Sequence, residues 1–461
     1  MSTRRSRVLG WFESGLFGLL VGAIDLLPPK LRYAYVHPVM RRVLARRVET
    51  LHVEAAGSGG SRAEAITQDR ADLVCALVAD RLDVGGIGSV VEMLVEHLPA
   101  YGVRPVVICL ADGRRAERMR ARGIRVISVP EGSERTDALK ESGANIVQLH
   151  SAPPVLEDAA RASGLPLVPV LHNTEIHYSG AQWARFRALL ADSVAAIAVS
   201  ETVAAFHANH VPVDLRSRLV VVPNGAPTVP PTDQAGRRAA RRRLGQALGA
   251  DLDDDVVFVC LARYDAQKNI AGMVASFAHA LQSTDLPLRL VVAGEPSDWT
   301  EYWRADGLRR RSANADRIHL LGNSDAGLIF AAADAFMLDS FFEGWPMAAT
   351  EALGAGLPLV LSDVGGAREL VARDVRSRIV ANASGIADEV SDRAVARARR
   401  RSARQDNLQE FVTAVHVVAA GVRGSVGRAP GDAPHDGGVL AMASAHAGIL
   451  RDVVSRPHQL Q

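Results

Sequence analysis

The strongest constraint on the fold is a repeated alternation of short apolar segments with longer amphipathic ones. The short segments do not alternate polar and apolar residues, which is typical of parallel strands covered by helices on both faces. They fall into two series, separated by Pro223-Asn224-Gly225 and an arginine-rich stretch at 237–243. The predicted strands are 72–79, 103–110, 124–129, 146–149, 167–172, 195–199 and 219–222, then 256–261, 288–293, 318–321, 335–338 and 359–362.

Helical patterns occupy the intervals between these strands, for example at 89–97, 181–191, 269–282 and 346–355. A chain of 461 residues exceeds the size at which one core keeps growing. We therefore predict an α/β protein with two Rossmann-like domains and a ligand-binding cleft at the carboxyl ends of both sheets. The predicted parts are an N-terminal extension and linker (1–66), a first Rossmann-like domain (67–225), a second one (226–390), and a basic helix with a loosely ordered tail (391–461) that contains a helix near 439–454.

Composition excludes several classes of protein. The net charge of +2 is too small to indicate a nucleic-acid partner, and 48% hydrophobic residues are typical of a folded rather than a disordered chain. The three cysteines lie in apolar runs at Cys75, Cys109 and Cys260, which predicts buried thiols, no disulfide and no zinc site. A reducing, cytoplasmic location is the corresponding prediction.

Two basic segments leave alternatives open. Arginines at 4, 5 and 7 precede an apolar run, 15–24, that is shorter than the roughly 20 residues needed to cross a bilayer. Residues 8–27 fit an amphipathic helix that lies on the inner face of the membrane, and equally a helix packed on the protein itself. The arginine-rich helix predicted at 392–404 fits a solvated face, or contact with anionic lipid or a phosphate-bearing acceptor.

Two turns after predicted strands have residues suited to an anion. Gly85 and Gly86 follow the first strand and open a helix, where backbone N–H groups and the helix dipole favour negative charge. A tight turn without any ligand explains these glycines equally well. Arg263 and Lys268 follow the first strand of the second series; two cations at that position suit a diphosphate, and taken alone they also fit ordinary surface charges.

The most informative segment runs from Phe341 to Pro358. Pro346 near the start and Gly356 near the end delimit one helix, with Glu343 in the loop before it and Glu351 in its first turns. Two carboxylates eight residues apart can accept hydrogen bonds from the hydroxyls of one polyhydroxylated ligand; the alternative is that Glu351 only caps the helix or forms a surface pair. The amides near the helix start are suited to its phosphates.

These elements together resemble the retaining glycosyltransferases of family 4, which have the GT-B fold. The resemblance covers about residues 72–385 and includes the Ala-Gly-Leu-Pro and Ser-Asp-Val-Gly-Gly that follow Glu351. Arg368-Glu369 departs from the Pro-Glu that is common in the family.

The resemblance implies roles for individual residues. Arg263 and Lys268 would hold the donor diphosphate, Glu351 the nucleotide ribose, and Glu343 the donor sugar. His172 matches the histidine that reaches the donor sugar, with His150 and His177 as nearby alternatives. The implied donor-binding residues are Gly85, Gly86, Arg263, Lys268, Glu343, Gly344, Trp345, Pro346, Met347 and Glu351, and the implied catalytic residues are Glu343, His172, Arg263 and Lys268.

We therefore predict a metal-independent glycosyltransferase that moves a sugar, with retention, from a nucleoside-diphosphate sugar to an acceptor whose identity the sequence leaves open. No cofactor is expected, since the sugar nucleotide is a substrate. No Asp-x-Asp pair is placed to hold a metal, because 253–255 reads as a loop before a strand. The alternatives are a sugar-nucleotide epimerase of the same fold and a non-catalytic binding protein.

Overall fold

The computed structural model describes residues 35–52, 73–82, 85–129, 135–227, 232–424 and 438–455, with residues 23, 24, 27 and 31. Most of the amphipathic segment predicted at 8–27 and the junction predicted at 53–66 lie outside these residues. Among the described helices, none is both long enough and apolar enough to cross a membrane.

The chain forms two units, and each is described by itself. Unit 1 holds the described residues of Met1–Ala55, Val229–Glu343 and Ala352–Ala433, and unit 2 holds those of Ala56–Thr228, Gly344–Glu351 and Pro434–Gln461.

Unit 2 is built on a seven-stranded parallel sheet of order β3-β2-β1-β4-β5-β6-β7. Its strands are β1 (Leu73–Arg81), β2 (Val103–Ala111), β3 (Val126–Ser128), β4 (Ile146–His150), β5 (Leu167–Leu171), β6 (Ala196–Ala198) and β7 (Leu219–Val221). In chain order after the short α1 (His37–Leu44) of unit 1, its helices are α2 (Gly86–His97), α3 (Arg114–Ala121), α4 (Arg135–Ser142), α5 (Pro154–Ala162), α6 (Gly180–Asp192) and α7 (Glu201–Ala208). Strands β4 and β5 are buried at every position, as expected of a sheet covered on both faces.

Unit 1 repeats the plan in a six-stranded parallel sheet of order β10-β9-β8-β11-β12-β13. Its strands are β8 (Val256–Leu261), β9 (Leu288–Ala293), β10 (Ile318–Leu321), β11 (Ala335–Leu338), β12 (Leu359–Ser362) and β13 (Arg378–Val380). The helices that follow α7 along the chain are α8 (Gln234–Leu248), α9 (Ile270–Gln282), α10 (Trp299–Arg311), α11 (Ala326–Ala332), α12 (Met347–Gly354), α13 (Ala367–Val371), α14 (Asp392–Arg400) and α15 (Leu408–Gly424). All of these belong to unit 1 except the first part of α12, which through Glu351 belongs to unit 2. Every strand predicted from the sequence is confirmed, and the two Rossmann-like sheets confirm the predicted fold class.

In both sheets the strand order reverses at one point, between β1 and β4 in unit 2 and between β8 and β11 in unit 1. At such a switch point the connections leave in opposite directions, so a crevice opens beyond the carboxyl ends of the two neighbouring strands. The loops after these strands are therefore where each unit is expected to bind a ligand.

The described part of the C-terminal region holds one helix that was predicted from the sequence and one that was not. Helix α15 is not among the predicted elements, yet its buried face packs on α9 and along the sheet of unit 1. The helix predicted near 439–454 is confirmed as α16 (Val439–Ser455), which packs on α2 and on the 3₁₀ turn Leu98–Tyr101 of unit 2.

Candidate active site

The switch point of unit 1 brings together a lysine and a glutamate that are 75 residues apart in sequence. Lys268 lies after β8 and Glu343 after β11, and these two strands are hydrogen-bonded neighbours. Lys268 Nζ donates to Glu343 Oε1 at 2.5 Å. The lysine side chain is 16% exposed and the glutamate side chain 5%, so the pair is largely shielded from water.

Glu343 is held by two further donors. Ser340 Oγ donates to Oε1 at 2.6 Å, and Gln267 Nε2 donates to Oε2 at 3.2 Å. A carboxylate offers about four lone-pair positions, and Lys268, Ser340 and Gln267 occupy three of them. One position is left, which is enough to accept a hydrogen bond from a single ligand hydroxyl.

Arg263 lies at the open side of the same turn. Its side chain is 49% exposed and pairs with Asp265 at 3.1 Å between Nη2 and Oδ2. The other Asp265 oxygen accepts the backbone N–H groups of Gln267 and Lys268, which shapes the turn that follows β8. Burial raises the pKa of Asp265, although Arg263 and Lys268 oppose this shift. The guanidinium is therefore positioned but accessible to an anion.

A buried polar network that was not predicted from the sequence supports this turn. Asn269, next to Lys268, has a left-handed backbone (φ 49°) and caps α9 through Gly272 N–H. Its amide donates to Asp339 Oδ2 and to Gln405 Oε1, and Asn407 donates to Asp339 Oδ1. Burial raises the pKa of Asp339 to about 8, partly offset by the hydrogen bonds from Asn407 and Asn269. No simple sequence signal marks this network, because Gln405 and Asn407 follow Asn269 by more than 130 residues.

In unit 2 the segment Gly344–Met347 lies against the chain after β5. A Cβ atom at Gly344 would overlap the carbonyl oxygen of His172, so only glycine allows this close approach. Trp345 is buried, and its Nε1 donates to Thr350 Oγ1 at 2.8 Å. The loop before α12 is thus held by backbone packing on one side and a buried tryptophan on the other.

Pro346 precedes α12, where its missing N–H group costs no helical hydrogen bond. Its carbonyl accepts the N–H groups of Ala349 and Thr350. The first amides of any helix have no intrahelical acceptor, and the helix dipole favours an anion near them. A Cβ atom at Gly86 would lie 3.3 Å from Met347 Cγ, so the glycine turn of unit 2 meets the start of α12.

Glu351 lies in α12, as predicted, with apolar neighbours on the helix. It is half-buried, and burial raises the pKa of its carboxyl. Among the residues that the structure describes, its carboxylate makes no hydrogen bond or ion pair. A carboxylate in this environment is suited to accept hydroxyl hydrogen bonds from a ligand.

The turn after β1 has the glycine geometry that the sequence indicates. Gly85 has φ 112°, a conformation that strongly favours glycine, and it immediately precedes α2. Residues 83 and 84 lie outside the described part of the chain. The two glycines therefore form a turn at the N-terminus of a helix on the switch point of unit 2.

Of the three candidate histidines, His172 and His150 lie together and His177 lies apart on the surface. His150 Nδ1 and His172 Nε2 are 2.9 Å apart, and both side chains are buried. Burial lowers the pKa of His172 to about 4, so it is neutral at pH 7. His177 is exposed. The structure thus separates His172 and His150 from the third candidate.

The basic helix is only in part a solvated face. Arg393, Arg397 and Arg400 on α14 are exposed, but Arg399 is buried and its Nη2 donates to Glu301 at 2.5 Å.

The Asp253–Asp255 segment is a loop before β8, as expected. Asp255 lies in this loop and is buried. Arg289 and Arg317 donate hydrogen bonds to its carboxylate, so the charge of Asp255 is compensated within unit 1.

Comparison with known proteins agrees with this geometry. Residues 84–229 match the family Glycosyltransferase Family 4, and residues 247–405 match the family Glycosyl transferases group 1. The chain is 40% identical over 68 residues to the O-antigen biosynthesis glycosyltransferase WbnH of Escherichia coli. The aligned stretch is 15% of this chain and 20% of WbnH. It is 30% identical over 159 residues to glycogen synthase of Mycobacterium tuberculosis. This aligned stretch is 33% of this chain and 38% of the glycogen synthase. These matches thus span well under half of the length of either relative.

Among solved structures, HepE from Anabaena, crystallised in complex with UDP and glucose, superposes with a TM-score of 0.60. The superposition covers 82% of this chain and 99% of HepE at 17% sequence identity, which establishes a shared fold. Two successive family matches and this fold place the chain among the family 4-like glycosyltransferases of the GT-B type.

Proposed function

We propose that this protein transfers a sugar, with retention and without a metal ion, from a nucleoside-diphosphate sugar to an acceptor hydroxyl. The observation that carries the proposal is the Lys268–Glu343 pair at the switch point of unit 1, with the exposed Arg263 on the same turn. A lysine and an arginine at the carboxyl end of a parallel strand suit a diphosphate. HepE was crystallised with UDP and glucose, which makes a uridine sugar nucleotide the first donor to test.

In this proposal Arg263 and Lys268 bind the diphosphate and stabilise the negative charge that grows on it as the glycosidic bond breaks. Preorganised groups that stabilise the charge developing in the transition state usually make the largest single contribution to catalysis. The first amides of α12 add partial positive charge of the same kind. Glu351, whose carboxylate is half-buried, accepts hydrogen bonds from the ribose hydroxyls.

Glu343 and His172 are proposed to contact the donor sugar. Three donors already hold the Glu343 carboxylate, and each withdraws electron density from its oxygens. It is therefore a poor nucleophile and a suitable acceptor for one sugar hydroxyl. The proposed retention would then proceed by attack of the acceptor on the face that the diphosphate leaves, rather than through a glycosyl–enzyme intermediate.

The test is incubation of the purified protein with a panel of sugar nucleotides and candidate acceptors, beginning with UDP-glucose. Release of the nucleoside diphosphate that depends on the acceptor supports the proposal. Interconversion of the sugars without nucleotide release would establish the epimerase alternative. Binding of sugar nucleotides without either reaction would establish the non-catalytic one. The stereochemistry of the product, read by NMR, tests retention.

We also propose an anionic membrane surface as a partner of unit 1. Helix α1 is held on α10, where Trp303 Nε1 donates to the carbonyl of Leu44 at 2.9 Å. Tyr35, Val39 and Val43, spaced four residues apart, are each more than half exposed and form one apolar stripe. Exposed arginines at 41 and 42 flank the stripe. An apolar stripe with flanking cations is the pattern of a helix that lies in a lipid headgroup region.

Co-sedimentation with vesicles of phosphatidylglycerol or of phosphatidylcholine tests this partner. We expect the full chain to sediment with the anionic vesicles at low salt. The double variant Val39→Ser, Val43→Ser should lose most of this binding, whereas Val375→Ser, at another exposed valine of unit 1, should keep it. Equal behaviour of these variants, or no sedimentation of the full chain, would refute the proposal.

A further inference from the structure

A chain of four buried polar side chains runs through unit 2 from His172. His172 Nε2 lies 2.9 Å from His150 Nδ1, and His150 Nε2 lies 3.0 Å from Gln148 Oε1. Gln148 Nε2 in turn lies 3.0 Å from His446 Nδ1 on α16. All four side chains are buried.

The strand register explains why these groups meet. Parallel strands β4 and β5 pair His150 with Val170, and residues two apart on a strand point to the same face. Gln148 and His150 on β4 therefore share a face with Val170, and His172 continues that face just beyond β5. His446 reaches this face from α16, 298 residues from Gln148 in sequence.

The orientation of the Gln148 amide, with its oxygen toward His150 and its nitrogen toward His446, sets where each proton lies. The amide oxygen of Gln148 can only accept, so His150 carries its proton on Nε2. A neutral imidazole with one proton has one acceptor nitrogen, and His150 Nδ1 therefore accepts from His172 Nε2–H. The amide nitrogen of Gln148 donates to His446 Nδ1. Every bond in the chain thus points from His172 toward His446.

Each imidazole must be neutral for this reasoning to hold. Burial lowers the pKa of His172 to about 4 and that of His446 to about 3, and it also lowers the pKa of His150. The nearby histidines lower the pKa of His150 and His446 further. One proton per ring is therefore the state at neutral pH.

We infer that His150 and Gln148 are positioning residues that hold His172 as its Nε2–H tautomer, so that His172 Nδ1 is an acceptor for a hydroxyl of the donor sugar. The inference depends on the proposed function for the sugar contact, but the tautomer itself does not. Gly344, whose backbone packs on the His172 carbonyl, fixes the main chain of the same residue. Ring and backbone of His172 are thus each held by a separate element of unit 2.

Histidine-labelled protein and two-bond ¹H–¹⁵N correlation spectra test the tautomer directly, with His172→Gln used to assign the His172 signals. We expect His172 and His150 to show the Nε2–H pattern in the wild type. The variant His150→Leu removes the acceptor, and His172 should then lose the single Nε2–H pattern. The variant His150→Asn places an amide oxygen near the former Nδ1 position and should retain it. An Nδ1–H pattern for His172 in the wild type, or no change in His150→Leu, would overturn the inference.

Kinetics with an active donor supply the second measurement. Loss of one oriented hydrogen bond should lower turnover of His150→Leu about tenfold, with a smaller change in KM for the donor, while His150→Asn stays within about threefold. Equal turnover in both variants would refute the positioning role. Denaturant midpoints of both variants identify a loss that is only due to unfolding. If no sugar nucleotide is turned over by the wild type, the proposed function fails, yet the spectra still decide the tautomer.

Discussion

Replacement of Lys268 by alanine is the sharpest perturbation of the proposed donor site. The change removes the ammonium that lies 2.5 Å from Glu343 and leaves a carboxylate with 5% exposure. Breaking a buried ion pair by removing one partner typically costs about 3–5 kcal/mol of folding free energy. Ser340 and Gln267 still donate to the carboxylate, so we expect a loss near the lower end, about 3 kcal/mol.

The effect on turnover has a separate cause. If Lys268 stabilises the charge that develops on the leaving diphosphate, its loss raises the barrier by about 2–4 kcal/mol, or about 30- to 1,000-fold in turnover. The double variant Lys268→Ala, Glu343→Gln removes the unpaired carboxylate and should recover most of the stability. It should not recover turnover, since neither change restores a cation.

Urea unfolding and acceptor-dependent release of nucleoside diphosphate measure the two effects on the same preparations. The control is Lys140→Ala, because Lys140 is 77% exposed and its pair with Asp137 is also exposed. Exposed pairs contribute about 0–1 kcal/mol, so this variant should behave as the wild type. Wild-type turnover in Lys268→Ala, or recovered turnover in the double variant, would refute the assigned role.

Three further predictions concern the same two units. Glu351→Gln should raise KM for the donor with little change in turnover, because ribose contacts are equal in the ground and transition states. Glu343→Gln should mainly lower turnover. Identical kinetic profiles of the two variants would contradict these roles. Activity should persist in excess EDTA, because protein cations and helix amides supply the positive field in the proposal; a complete loss that magnesium or manganese restores would refute it. Burial raises the pKa of Asp339 to about 8 in the folded protein, so the folded state binds this proton more tightly than the unfolded state does. The stability that protonated Asp339 contributes is therefore lost as pH rises from about 4 through about 8. Relative to Asp339→Asn, the wild type should lose up to about 1.4 kcal/mol of unfolding free energy per pH unit in that window; parallel curves from urea titrations at several pH values would show that Asp339 does not titrate there.

Much of the fold follows from local patterns along the chain. Continuous apolar segments such as β8 (Val256–Leu261) can only be satisfied in a sheet covered on both faces, so strand positions and the two-domain plan were predictable. The glycine turn at Gly85 and the helix that begins after Pro346 are also local, since each depends on backbone conformations that few residues adopt or allow. Helix α15 was not predicted, although Asn407 with Glu410 three residues later is a sequence signal for a helix start.

The candidate site was predictable only as separate pieces. A motif shows which residue types are present, but hydrogen bonds between residues far apart in sequence depend on strand order and register. The Lys268–Glu343 pair forms because β8 and β11 are neighbours, and the bond from Gln148 to His446 forms because the C-terminal helix returns to the sheet of unit 2. Local patterns along the chain are enough to place the strands, the turns and the residue types at their ends. The pairing of charges, and the tautomer that we infer for His172, follow only from the folded structure, because both depend on partners that the chain brings together when it folds.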